Sequence, residues 1–63
     1  MGDTVYVSRS LDGEGSVLSA STDFNVTVEE AKRSGLPFWI VECQYGVVVA
    51  NHWRTGRKWV RHA

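Results

Sequence analysis

Apolar and polar positions along this chain change period twice, and those changes outline its elements. In "TVYVSR" (4–9), Val5 and Val7 alternate with Thr4, Tyr6 and Ser8, the period-two pattern of a strand. "SLDGEGS" (10–16), with two glycines and two acids, predicts a turn. "SVLSAS" (16–21) follows as a second short strand, so the first two strands should form a hairpin. "PFWIVECQ" (37–44) is apolar on both sides through Phe38, Trp39, Ile40 and Val41, which suits a strand at the centre of a sheet. Tyr45-Gly46 predicts a turn and "VVVANHW" (47–53) another strand. "RKWVRH" (57–62) returns to alternation, with Trp59 on one side and Lys58 and Val60 on the other.

Between the second and third strands the period becomes helical. "NVTVEEAKRSG" (25–35) sets Thr27 three residues before Glu30, the capping-box spacing, in which each side chain satisfies the other residue's backbone N–H. On that reading Thr27 is the N-cap and Val26 packs on Ala31. Glu29 and Glu30 then meet the positive end of the helix dipole, and Lys32 and Arg33 the negative end. Gly35 and Pro37 terminate the helix. The predicted fold is α+β, in the order β-β-α-β-β-β: a small antiparallel sheet of four to five strands with one short helix packed on one face.

Sixty-three residues predict a single domain, 1–63, and a thin core, because a chain of this size buries only about 60% of its unfolded surface. One cysteine, Cys43, permits no intramolecular disulfide and fits a reducing compartment. With 43% hydrophobic residues and three tryptophans, the chain has the composition of a folded protein. No repeat, linker or low-complexity tract interrupts it. No apolar run approaches the ~20 residues of a membrane span. "MGDTVYV" lacks the basic and apolar regions of a secretory signal, and Tyr6 stands where a myristoylation pattern has serine or threonine. The expectation is a soluble, cytoplasmic protein that does not engage a membrane.

Charge is balanced overall but unevenly spread. Residues 1–30 hold six acids against Arg9 alone, net −5, whereas residues 31–63 hold six bases against Glu42 alone, net +5. Such a pole can hold two halves of a fold together or steer an acidic partner. The basic half culminates in "NHWRTGRKWVRHA" (51–63), whose Trp53, Arg54, Arg57, Lys58, Trp59 and Arg61 are the candidate binding residues. Gly56 fits a three-residue hairpin loop, Arg54-Thr55-Gly56, ending in a left-handed glycine. That register pairs Trp53 with Arg57 and puts both tryptophans and Arg61 on one face. A two-residue Thr55-Gly56 loop would separate the tryptophans. Indoles and guanidiniums are enriched at protein hot spots, and can also stack on bases and contact phosphates.

Other chemistry is sparse. Cys43 and His52 fall on adjacent predicted strands, where a thiol–imidazole pair could be nucleophilic, but no third orienting residue or oxyanion motif accompanies them. Cys43 is expected to be a small buried hydrophobe. Cys43, His52 and His62 have no zinc-site spacing. "DGEGS" (12–16) lacks both the lysine of a phosphate loop and the ligand spacing of a calcium loop. Glu42 shares a strand face with Phe38 and Ile40, so it should pair with a base such as Arg61 or Lys58.

In "SRSLDGEGSVLSA", "TVEEAKRSG" and "GRKWVR" the chain resembles a family of short bacterial and phage proteins built on a β-β-α-β-β pattern. The resemblance covers most of the chain. That family has no established activity, so the resemblance implies a small accessory protein and no site residues. Together these readings predict a non-enzymatic binding module without cofactor or metal. It would use its last hairpin for a protein partner or for self-association as a homodimer; nucleic-acid binding through Arg54, Arg57, Lys58 and Arg61, with Trp53 or Trp59 stacking, is the alternative.

Overall fold

The computed structural model describes residues 3–12 and 15–63. Five strands and one helix follow the predicted order: β1 (Thr4–Ser10), β2 (Val17–Ser21), α1 (Phe24–Lys32), β3 (Phe38–Gln44), β4 (Val47–Thr55) and β5 (Lys58–His62). They form one antiparallel sheet in the order β2-β1-β3-β4-β5, with the doubly apolar β3 at its centre. "DGEGS" straddles Gly13 and Glu14, which lie outside the described residues.

The helix begins a turn earlier than the capping box predicts. Its N-cap is Asp23, whose side chain accepts a hydrogen bond from Val26 N at 3.2 Å. Thr27 is instead fully buried inside the helix. Its hydroxyl donates to Asp23 O at 3.0 Å and lies 3.3 Å from Tyr6 O, tying α1 to β1. Tertiary contact thus takes the hydroxyl that the local motif would have used. Glu29 and Glu30 are consequently outside the first turn, which carries no acid, and Glu29 pairs with Lys32 at 3.4 Å. Val26 points to solvent and does not staple Ala31, which is fully buried. The C-terminal end is as predicted: Arg33 is the C-cap, and Gly35 takes a left-handed φ of 74°.

The helix lies over β1 and β2, and it covers the less apolar side of β1. The registers Ser8↔Ile40 and Ser10↔Phe38 place Tyr6, Ser8 and Ser10 on the helix side, with Ile40, Glu42 and Ala50. Ser8 and Ser10 are buried there at 0% and 1% exposure. Hydroxyls knit this layer together. The Ser8 and Ser19 oxygens are 2.6 Å apart, and Ser19 Oγ donates to Thr27 O at 2.8 Å. Among the described residues the buried hydrophobic side chains are only Val28, Ala31, Ile40, Val41 and Ala50, so the core is thin.

Candidate binding surfaces

The last hairpin decides where the predicted site residues go. Thr55 pairs with Lys58, so the loop is Gly56-Arg57, neither the three-residue Arg54-Thr55-Gly56 loop nor the two-residue Thr55-Gly56 loop, and the partner of Trp53 lies three residues beyond the expected Arg57. Gly56 has φ 63° while Arg57 stays in the negative range, the pattern of a type II′ turn, whose twist matches that of the flanking strands. Trp53 therefore pairs with Val60 and not with Arg57, and Trp59 pairs with Arg54. The expected single surface of two indoles and guanidiniums does not form. Trp53 and Trp59 lie on opposite faces of the sheet.

Each tryptophan has a different environment. Trp53 stacks on Trp39 across β3 and β4, with centroids 5.4 Å apart and rings 7° from parallel. Trp39 Nε1 donates to Asn51 Oδ1 at 3.2 Å, which anchors the pair. Trp59 turns to the helix side, edge-on to Phe24 at 5.5 Å and tilted against Phe38 at 5.9 Å. Arg54 is exposed and its Nε donates to Gly56 O at 3.0 Å. Arg57 and Lys58 are exposed at the turn.

Arg61 stays about half exposed, but its guanidinium is engaged within the chain. It reaches Glu42 across the helix side, Nε to Oε1 at 3.0 Å and Nη2 to Oε2 at 3.2 Å, one of the two pairings expected for Glu42. His52 Nε2 donates to the same Oε1 at 2.7 Å, and its ring packs on Phe24 and Tyr6. The Arg61 hydrogen bonds hold the Glu42 carboxyl below its usual range, with burial opposing and His52 adding to the effect. This cluster joins β3, β4 and β5.

Cys43 and His52 do not approach as their strand positions suggested. Cys43 pairs with Val5 and Val48, whereas His52 pairs with Ile40, so the thiol and the imidazole point to opposite faces. Cys43 is half-buried. Among the described residues no three His, Cys, Asp or Glu side chains gather as a metal site, and no helix is long and apolar enough to cross a membrane.

The surface that the hairpin residues did not reveal is the sheet face away from α1. Val5, Val7 and Arg9 on β1 line up there with Cys43, Val41 and Trp39 on β3. Val17, Val48, Trp53 and Val60 extend the row to both edges. Val17 is 57% exposed, Val48 56% and Trp53 40%, with Val5 and Val60 close behind. The strands carry no carboxylate on this face; its charges are Arg9 and Lys58, at the end where β1 finishes and β5 begins. Single exposed apolar residues are ordinary; here they line up as one valine and tryptophan face.

A scan against protein-family models finds no match for the chain, and searches of curated proteins and of solved structures find none either.

Proposed function

We propose that this protein is a non-enzymatic binding module that self-associates through the open face of its sheet. The carrying observation is an inversion along β1: Ser8 and Ser10 are buried under the helix while the valine side is exposed. An isolated antiparallel sheet would turn its polar side to water. Two such faces packed about 10 Å apart would bury the valines and complete a core that one chain leaves thin. A two-fold pairing with strands running in opposite directions also separates the two basic ends. Each Arg9 and Lys58 would then face the end of the partner copy at which Asp3 precedes β1.

Sedimentation equilibrium tests this reading. Wild type should form a concentration-dependent dimer that persists in high salt, since apolar contact dominates it. Trp53→Lys and Val60→Lys, each placing a charge on the exposed face, should give folded monomers. A wild type that stays monomeric up to millimolar concentration would remove the proposal.

Nucleic acid is the second reading, supported by the exposure of Arg54, Arg57 and Lys58 at one end of the sheet. The engagement of Arg61 by Glu42 leaves three cations of the predicted four. Phosphate binding by these three would give log K against log salt a slope of roughly −2 to −3. The valines of the open face have no role in such a complex, which is why self-association is preferred.

A further inference from the structure

The helix covers β1 and β2 but stops short of β4 and β5, and a groove opens beyond it on the helix side. Leu11, Leu36, Pro37, Phe38, Arg54 and Trp59 line its volume of about 250 Å³. The backbone bond from Leu11 N to Pro37 O, at 2.9 Å, holds two of its walls together. Leu11 and Leu36 are 47% and 40% exposed, although both are large and apolar. Trp59 is braced from behind by Phe24 and Phe38, so the aromatic wall is preformed.

Among the described residues, Arg54 is the only ionisable one in the lining of this groove. Arg57 follows in the adjoining turn. The nearest described acid in sequence, Asp12, is engaged by the Ser10 hydroxyl and accepts from it. An apolar slot with one arginine in its lining and a second in the adjoining turn complements an apolar group that carries negative charge beside it. Its volume falls below the roughly 300–1,000 Å³ of small-molecule sites and suits one large side chain.

We propose that this groove anchors an acidic segment of a partner protein. One large apolar side chain of the segment fills the slot against Trp59, Leu11 and Leu36, and a neighbouring carboxylate pairs with Arg54. The site lies on the opposite side of the sheet from the self-association face, and neither proposal depends on the other.

Amide and indole NMR shifts during titration with blocked tripeptides test this. A peptide with tryptophan between two aspartates should shift Leu11, Leu36 and the Trp59 indole N–H at millimolar concentration. Its alanine-centred counterpart should bind roughly tenfold more weakly, through loss of the buried side chain. Replacing the aspartates by lysines should abolish the shifts. Arg54→Gln should weaken the first peptide roughly three- to fivefold, the range of an exposed ion pair. Leu36→Asp, in a loop, should weaken it further while leaving the rest of the spectrum in place. Equal binding of the lysine-flanked peptide, shifts confined to Val5 and Trp53, or tighter binding of a thymidine oligonucleotide at the same residues would each overturn the proposal.

Discussion

Glu42 is the buried carboxylate on which Arg61 and His52 converge. It sits on the Ile40 side of β3, the face that alternation assigns to it, and that placement makes its pairing with Arg61 legible before any coordinates. The recruitment of His52 was less legible, because it needed a register in which β4 brings its imidazole to the same oxygen. Arg61 first, and His52 after it, lower the Glu42 pKa against the opposing effect of burial. The unfolded chain therefore binds more protons than the folded one as pH falls past the ordinary carboxylate value of about 4.3. The stabilisation from this cluster is complete above that value and is lost as pH drops through the lowered folded value. Glu42→Gln should accordingly flatten the acid side of the stability profile. Between about pH 5 and about pH 3 the melting temperature of the variant should fall less than that of wild type, as thermal melts would record.

At the scale of elements, strands and tight turns were readable because their signals are local. Period-two alternation marked β1, and Tyr45-Gly46 marked the turn between β3 and β4. Two features depend on distant partners and were not readable. Asp23 and Thr27 stand four residues apart and both are good N-caps; Thr27 is withdrawn from that role by its contact with Tyr6 O on β1. Gly56 likewise suits several loops, and the chain turns at Gly56-Arg57 instead of at either loop read from the sequence. That register lets Trp39 receive Trp53 while Phe24 and Phe38 receive Trp59. The cap assignment has a direct test in thermal unfolding followed by circular dichroism. Asp23→Ala should cost about 1 kcal/mol, or roughly 4–8 °C in a domain of this size. Glu30→Ala, at an exposed mid-helix position, should stay within about 0.5 kcal/mol. The reverse order would restore the capping box.

For the molecule as a whole, composition indicated a thin core but not which side of the sheet it occupies. Apolar Val5 and Val7 mark the natural inner face of β1, yet Ser8 and Ser10 take that place: Ser19 and Thr27 extend the hydroxyl layer that Ser8 begins, and the Ser10 hydroxyl is satisfied by Asp12. Arg9, Arg54, Arg57 and Lys58 gather where β1 ends and the last hairpin turns, with Asp12 held at the same end by Ser10, while Asp3 and Asp23 lie toward the other end of the sheet. An apolar face with one basic end and one acidic end is complementary to an inverted copy of itself, which is the central claim. Intermolecular NOEs in a mixture of isotope-labelled and unlabelled protein test it most directly. Cross-peaks are expected between valine methyls of one copy, Val5, Val48 or Val60 among them, and the Trp53 indole of the other. A dimer whose only intermolecular contacts fall on the helix side, or a sample with none at all, would contradict it.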